Sequence, residues 1–493
     1  MLARLTAVAL FLCMTACASA PADPAAADIA RFTEQVMREF PETPSLAVAV
    51  VRDGKPLLAR GFGKRDLEAS LDADAKTAYY IASSTKSYVG LLAAVLAHRG
   101  VVDLDAPITR YLPDLKLPEG VEPQRVTLRT LLTHTAGLQS QALVGRTAYT
   151  GEHSPAVLLD LISRSRVREP KFAYDNYGYV VASLVLERVT GKKWQDLLDE
   201  VIFQPAGMTR TTAYMSRTRD WPWAVPYSSS PEGLVRRPMM KTDQTMHAAG
   251  GLVTTAADLL RWLELNINRG RVGGKQVLPA EAFEVAQRQQ ATLAATFGAY
   301  RRYGYGLGWY WSEYEGRTLL HHFGGFEGWR AHISFMPDTK TGVAVLTNTS
   351  GFAFEVPDLV ANYIYDRLDG RGDLAPTYTA RKEALRASIE KDRLSMQKHL
   401  AEREARTPTL LRDPSAYVGT YSSRDMGDLT ISRDGNELRA SIGQLQGTLE
   451  PFTEPESARV ELVPGSGEVL RFEFGDGASA VALRWRGERL ERK

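Results

Sequence analysis

The chain has 493 residues, of which 44% are hydrophobic and 24% charged, the composition of an ordinary soluble globular protein rather than of a disordered, collagenous or polytopic membrane chain. Sixty basic and 58 acidic side chains leave a net charge of +2, so no one-signed field exists to hold nucleic acid. The two cysteines, Cys13 and Cys17, both lie near the start, which excludes a disulfide framework in the body. Since one hydrophobic core seldom grows beyond about 300 residues, at least two domains are expected.

Residues 1–20 are typical of a bacterial export signal. Arg4 precedes the apolar run Leu5–Ala16, which is too short to span a bilayer as a mature helix. The box Met14–Cys17 resembles a lipoprotein cleavage site and predicts a lipid on Cys17, while cleavage after Ala20 is the alternative. We therefore expect an exported, periplasmic protein whose only membrane attachment is this N-terminal lipid.

Changes in hydrophobic pattern and charge content divide the remaining chain into three predicted parts. Residues 21–370 mix helical periods with β-branched runs such as Leu46–Val51, which predicts one large α/β domain. Residues 371–411 are highly charged, with apolar positions too sparse for a core face, so a solvated helix or linker is predicted. Residues 412–493 show short alternating runs broken by turns such as Asp434-Gly435, typical of a small all-β domain.

Ser83 and Lys86 are the first candidates for catalysis. An apolar helical stretch beginning near Ser83 places the two side chains nearly one turn apart on the same face. The lysine amine can activate the serine hydroxyl if burial and nearby positive charge keep part of it neutral. The same spacing recurs at Ser388-x-x-Lys391 in the charged segment, so a capping serine is an equal alternative on spacing alone.

Tyr174-x-Asn176 is the second candidate and precedes another apolar helix. Residues i and i+2 on an extended loop point the same way, so a phenol and a carboxamide enter one cleft. For an isolated match, the favoured alternative is a packed tyrosine with asparagine as the helix cap.

The third candidate comprises His322, Gly324 and Gly325, in a segment predicted to be an edge strand. The glycines let a substrate backbone lie close and leave amide groups free to donate. Adjacent His321 and His322 invite a metal-site interpretation, which is rejected because no His-Glu-x-x-His helix or second ligand cluster accompanies them. No Gly-x-Ser-x-Gly elbow occurs, which excludes an α/β-hydrolase.

Three motifs thus follow one another along the chain: Ser83-x-x-Lys86, Tyr174-x-Asn176 and His322-x-Gly324. In this order they resemble the motifs of the class C β-lactamase and low-molecular-weight penicillin-binding protein superfamily, and the phrase Leu131–Leu138 adds to the resemblance. It implies an α/β (α+β) fold, with an antiparallel sheet of five to nine strands flanked by helices, an all-helical lobe and a cleft between them. The segment from Tyr417 onward resembles the lipocalin-like C-terminal domain of some of these hydrolases.

The resemblance also implies roles for the site residues. Ser83 would be the acylated nucleophile and Lys86 its base, while Tyr174 would relay a proton to the leaving group and activate the deacylating water. Asn176 would bind the substrate amide, and the backbone N–H groups of Ser83 and Gly325 would stabilise the oxyanion. No metal or cofactor is required.

One departure from the family pattern concerns the third motif. True β-lactamases carry Lys-Thr/Ser-Gly there, whereas this chain has His322-Phe323-Gly324 and so lacks the hydroxyl and the permanent cation. The substrate is therefore expected to be a small molecule or peptide of the D-amino-acid or ester type. A β-lactamase and a non-catalytic, envelope-anchored binding protein that retains the fold are the alternatives.

Overall fold

The computed structural model describes residues 23–435 and 437–493. The predicted signal segment and Cys17 lie outside the described residues. Within those residues, no helix combines the length and apolar content that crossing a membrane requires.

A nine-stranded antiparallel sheet forms the centre of the first domain. From one edge to the other its strands are Ala291–Phe297, Tyr300–Tyr305, Tyr310–Tyr314, Arg317–Phe326, Trp329–Met336, Thr341–Thr347, Ser45–Arg52, Lys55–Asp66 and Leu71–Asp72. The strand Ser45–Arg52 is apolar at nearly every position because both of its faces are covered: Ala47 and Ala49 belong to one core, and Val48 and Val50 to the other.

Helices pack on both faces of this sheet. One face carries Pro24–Glu39, Val356–Leu368 and the first half of Ala375–Glu404. The other carries Thr85–His98, Ala256–Ile267, Ala280–Gln287 and a lobe of short helices, namely Leu128–Leu132, Gln141–Gly145, Pro155–Ser163, Tyr177–Thr190, Trp194–Leu198 and Gln204–Ala206. The catalytic candidates lie where this lobe meets the sheet.

Short strand pairs complete the first domain. They are Tyr79–Tyr80 with Val253–Thr254, Leu138–Gln139 with Arg166–Val167, Arg271–Val272 with Lys275–Gln276, and Tyr227–Ser230 between Gly233–Arg236 and Thr349–Ser350. The first of these pairs leads directly into the segment that holds Ser83.

The charged segment forms the helix Ala375–Glu404, and its first half differs from the solvated helix that was predicted. Tyr378, Leu385 and Ile389 are buried there beside the equally buried aliphatic stem of Lys382. Spacings of four, three and four residues align these side chains in one narrow stripe, which a sparse apolar pattern does not reveal. This half of the helix therefore belongs to the core.

The C-terminal domain is a closed eight-stranded barrel. Its strands are Gly419–Ser423, Gly427–Asp434, Glu437–Ile442, Leu445–Pro451, Ser457–Val460, Glu468–Phe474, Ala480–Trp485 and Glu488–Arg492. The barrel docks on the helical lobe, where Arg164 pairs with Asp425 and Arg424 with Asp160, and its apolar side chains continue the core of the lobe. The predicted mixed α/β architecture with a small β-barrel is confirmed.

Candidate active site

Ser83 lies at the turn between the strand Tyr79–Tyr80 and the helix Thr85–His98. A single 3-10 turn over Ala82–Ser84 precedes the helix, and Ala82 has a φ of 42°, in the left-handed region. Ser83 is half-buried, so it keeps an opening to solvent. The helix therefore begins where the apolar periodicity predicts, but it is entered through a strained residue.

Two glycines allow neighbouring backbone to approach this turn closely. A Cβ atom on Gly324 would lie 1.9 Å from the carbonyl oxygen of Ile81, and one on Gly308 would lie 2.4 Å from that of Lys86. The hydroxyl of Ser84 also donates to the carbonyl of His322 at 2.9 Å. The sheet thus holds the turn from two sides.

The amine of Lys86 is fully buried among three polar groups. Its Nζ lies 3.3 Å from Ser83 Oγ, 2.7 Å from Asn176 Oδ1 and 2.8 Å from the carbonyl oxygen of Ala249. Burial lowers the pKa of Lys86 from 10.5 to about 7, and the charge of Asp175 only partly opposes this. A large share of these amines is therefore neutral at neutral pH and can accept the proton of Ser83.

Tyr174 forms the open side of the site. The residue is 41% exposed, and Lys86 Nζ lies 4.8 Å from the centre of its ring. Desolvation at its hydroxyl raises the pKa of Tyr174 well above the ordinary value, Tyr310 adds to the rise, and a hydrogen bond with Ser83 opposes it. The phenol therefore stays protonated at neutral pH and can act as a proton donor.

Asn176 occupies the N-cap position of the helix Tyr177–Thr190, but its side chain makes no capping hydrogen bond, unlike in the alternative that the sequence favours for an isolated match. Its side-chain oxygen accepts from Lys86, while the carboxylate of Asp175 accepts from the N–H of Tyr177 at 2.7 Å. Because its oxygen is engaged, the amide NH₂ of Asn176 is the end left to meet a substrate carbonyl.

His134 is a buried residue to which sequence reasoning assigned no role. Its Nδ1 accepts from the N–H of Asp175 at 3.2 Å, and its Nε2 lies 3.3 Å from the hydroxyl of Tyr305. Burial lowers its pKa well below the ordinary value, so the ring is neutral and carries its hydrogen on Nε2. The backbone of His134 is left-handed, with a φ of 60°, and its ring lies 4.7 Å from that of Tyr174. Through these contacts His134 positions the second motif. The family-like phrase Leu131–Leu138 was the one available signal.

The strand Arg317–Phe326, which carries the third motif, is interior to the sheet rather than the edge strand predicted. Its ladder with the shorter strand on one side stops at His321, whereas the ladder on the other side continues to Phe326. The segment beyond His321 is therefore unpaired in the sheet along one edge, and this edge borders the Ser83 turn. The open backbone edge expected of an edge strand therefore exists here because the neighbouring strand Tyr310–Tyr314 is short.

His321 and His322 point to opposite faces of the sheet, as alternating residues of a strand do. His321 lies within hydrogen-bond distance of Ser312, at 2.8 Å, on the far face. The ring of His322 lies 6.0 Å from that of Tyr174, and within the described part of the chain its Nε2 has no hydrogen-bond partner. The pair cannot converge on one ion.

The third motif offers a substrate neither a cation nor a hydroxyl. Burial, with the charge of Lys86, lowers the pKa of His322 well below its ordinary value, so the ring is neutral. Phe323 turns to the far face, where its ring packs 4.5 Å from that of His332. What remains at the cleft is backbone: Gly324, closely packed, and Gly325, exposed.

A large antiparallel sheet, a helical lobe and a serine beside a neutral lysine between them define a class of serine hydrolase. Residues 33–363 match the family described as Beta-lactamase. The chain therefore belongs to the beta-lactamase family of serine hydrolases.

Similar proteins include one curated relative and two solved structures. Protein flp of Staphylococcus aureus (strain N315) is 25% identical over 325 residues, which cover 64% of this chain and only 61% of the relative. An octameric penicillin-binding protein homologue from Pyrococcus abyssi, 25% identical, has a TM-score of 0.60 over 94% of this chain and 99% of its own. D-amino acid amidase from Ochrobactrum anthropi SV3, at 22% identity, has a TM-score of 0.59 over 70% of this chain and 99% of its own. The full architecture, barrel included, therefore has solved counterparts.

Proposed function

We propose that this protein hydrolyses an amide or ester bond through an acyl-enzyme on Ser83, with a D-amino-acid peptide or an ester as substrate. The observation that carries the proposal is the Lys86 amine, 3.3 Å from Ser83 Oγ and held by Asn176 at 2.7 Å. A buried amine with a pKa near neutrality beside a half-exposed hydroxyl is the arrangement that an activated serine needs.

Acylation follows from these positions. Lys86 takes the proton of Ser83 as Oγ forms a bond to the substrate carbonyl carbon. The carbon–leaving-group bond then breaks, and the leaving group takes the phenol proton of Tyr174, which the protonated Lys86 replaces. Water then attacks the acyl carbonyl carbon and gives one proton to Tyr174, which passes its own proton to the neutral Lys86. The bond between that carbon and Ser83 Oγ breaks, the acid leaves, and Lys86 returns the proton to Oγ, so that all three side chains regain their starting states.

The developing oxyanion has two candidate donors. Ser83 lies at a helix start, where backbone N–H groups lack partners within the helix, and Gly325 lies on the strand segment with one unpaired edge. Donors fixed in such positions typically contribute about 3 kcal/mol each to the transition state.

Two observations favour a D-amino-acid or ester substrate over a β-lactam antibiotic. One solved structure with a similar fold is a D-amino acid amidase. The third motif also lacks the cation and hydroxyl with which β-lactamases hold the carboxylate of the antibiotic, because His322 is neutral and Phe323 faces away.

Active-site labelling tests the proposal. Intact-mass analysis after treatment with a fluorophosphonate should show one adduct on the wild-type chain and none on Ser83→Ala. Ser388→Ala is the matched control, since it removes the serine of an equally spaced but exposed Ser-x-x-Lys pair, and it should label normally. An adduct that persists at full yield on Ser83→Ala rejects the assignment.

Turnover separates the alternatives. D-alanyl-p-nitroanilide and p-nitrophenyl acetate should be hydrolysed in a Ser83-dependent manner, faster than nitrocefin. A clear preference for nitrocefin would identify a β-lactamase instead, and labelling without turnover of any substrate would identify a non-catalytic binding protein.

A further inference from the structure

A second buried lysine, Lys241, lies beside the site and has no part in the steps above. It is only 5% exposed, and its amine donates to the carbonyl of Ala148 at 2.6 Å. Within the described residues no carboxylate pairs with it, and burial lowers the pKa of Lys241 from 10.5 to about 7.

Three aromatic rings surround this amine. Its Nζ lies 4.1 Å from the ring centre of Phe326, 5.1 Å from that of Tyr149 and 5.7 Å from that of Tyr80. Tyr80 is buried, whereas Tyr149 and Phe326 are only half-buried, so the enclosure is most open on their side. Ring faces attract a cation but do not neutralise it.

The enclosure shares backbone with the reaction centre. Phe326 directly follows Gly325, and Tyr80 precedes Ser83 by three residues. The hydroxyl of Tyr80 donates to the carbonyl of Gly250, the residue after Ala249, whose carbonyl accepts from Lys86. The rings around Lys241 are therefore direct neighbours of the backbone that borders the reaction centre.

Burying an amine without a counter-ion is costly, and an apolar side chain of similar length would fill the same space at lower cost. The third motif itself meanwhile contributes no cation to the cleft, because His322 is neutral. We propose that Lys241, with Tyr80, Tyr149 and Phe326, forms a subsite that binds a carboxylate carried by the substrate. This inference rests on the proposed hydrolase function and adds a substrate class to it. The substrate would be an ester or amide that carries a carboxylate on its acyl part or on its leaving group.

The barrel holds this subsite in place. Gln444, in the turn between the strands Glu437–Ile442 and Leu445–Pro451, donates to the carbonyls of Tyr149 at 2.9 Å and Met240 at 3.0 Å. These carbonyls belong to the two segments that bring Tyr149 and Lys241 together. The C-terminal domain thus supports recognition without entering the reaction centre.

Paired aryl esters test the subsite, with p-nitrophenol release followed by its colour and phenol release by ultraviolet absorbance. One pair, mono-p-nitrophenyl glutarate and p-nitrophenyl valerate, differs by a carboxylate on the acyl chain. The other, 3-acetoxybenzoate and phenyl acetate, differs by one on the leaving group. The wild-type chain should prefer the anionic member of at least one pair in kcat/KM, and Lys241→Met should lower that ratio about tenfold, the effect of one charged hydrogen bond.

Two further variants make this result specific. Lys241→Arg should retain most of the preference, and Lys275→Met, which removes an exposed lysine, should leave both rates unchanged. Arg302 is the competing cation, since its guanidinium lies 4.0 Å from the ring centre of Tyr310 and its charge acts on Tyr174 and His322. A preference that survives Lys241→Met with unchanged melting temperature, or that is lost in Arg302→Gln instead, overturns the subsite. A chain that hydrolyses neither these esters nor D-alanyl-p-nitroanilide overturns the hydrolase function and the subsite together, whereas equal Ser83-dependent hydrolysis of both members of each pair overturns the subsite alone.

Discussion

Lys86 and Lys241 are two buried lysines whose pKa burial lowers to about 7, yet their surroundings differ in kind. Both amines lie near aromatic rings, but Lys86 also meets a hydroxyl, a carboxamide and a carbonyl, whereas the polar partner of Lys241 among the described residues is a single carbonyl. Since the same cause produces both shifts, a depressed pKa does not by itself identify a catalytic base. The proposed base is Lys86 because a serine hydroxyl lies beside its amine, whereas among the described residues the amine of Lys241 donates to a backbone carbonyl.

The two lysines also differ in what holds them. Lys86 belongs to the helix Thr85–His98, which the sheet packs against directly. Lys241 lies in an irregular segment, and a side chain from the barrel fixes the backbone next to it. Under the two proposals, the lysine that takes part in the reaction thus lies on a helix packed against the sheet. The lysine that selects the substrate lies on an irregular segment that the barrel supports.

The largest expected effect follows from Lys86→Met, which removes the base. The kcat/KM should fall by about three orders of magnitude for every substrate, neutral or anionic. Lys86→Arg should lose as much, because a guanidinium stays protonated at any working pH. Ester kinetics on variants with wild-type circular dichroism measure this. Activity within tenfold of the wild type in Lys86→Arg would contradict the assignment.

A smaller effect is expected from pH. Because lowering the pH through about 7 protonates Lys86, the acylation rate should fall about tenfold per pH unit below that value and level off above it. The rate of fluorophosphonate labelling of Ser83, measured from about pH 5 to 9, tests this independently of substrate binding. A rate that does not change with pH would mean that another group takes the proton.

His134→Asn tests whether His134 supports the residues around Lys86. Asparagine tolerates the left-handed backbone of His134, but it cannot bridge the N–H of Asp175 and the hydroxyl of Tyr305. We expect kcat to fall about tenfold with little change in KM, because Tyr174 loses its support while substrate contacts remain. An equal rise in KM would indicate general loosening of the cleft instead.

Gln444→Ala tests whether the barrel supports the Lys241 subsite. Its expected effect is the smallest of the four. It removes two hydrogen bonds that the barrel makes to the subsite backbone. The preference for anionic esters should fall about threefold, since neutral hydrogen bonds contribute about 1 kcal/mol each and relaxation recovers part of that. Replacing Gln446, which makes no such bond to this backbone within the described residues, provides the control. An unchanged preference would show that the lobe holds the subsite unaided.

Local spacing explains which parts of the site could be predicted. Ser83 and Lys86 share a helix face, and Tyr174 and Asn176 share a loop, so pattern alone suggests each pair. The helix Thr85–His98 also ends where the cations and Gly100 predict. The fold prediction came from the order of three motifs that local rules each support only weakly, and the family match and the structure confirm it.

Distance along the chain explains what could not be predicted. Lys241 meets Ala148, 93 residues away, and Gln444 meets Tyr149, 295 residues away, and neither contact leaves a local pattern. An edge strand is predicted to hold His322 beside its two glycines, whereas the strand Arg317–Phe326 is interior and its unpaired edge comes from a neighbouring strand that ends early. Such features depend on tertiary contacts alone.

The left-handed backbone at Ala82 has a consequence for where the reactivity of this serine comes from. A residue with a Cβ disfavours this conformation by about 1 kcal/mol, so the chain does not adopt it by local preference. The sheet lies directly against this turn, since a Cβ atom on Gly324 would lie 1.9 Å from the carbonyl oxygen of Ile81. Under the proposed function, an unfolded chain with the same serine, lysine and tyrosine should therefore not react, because their arrangement requires that distant strands have joined.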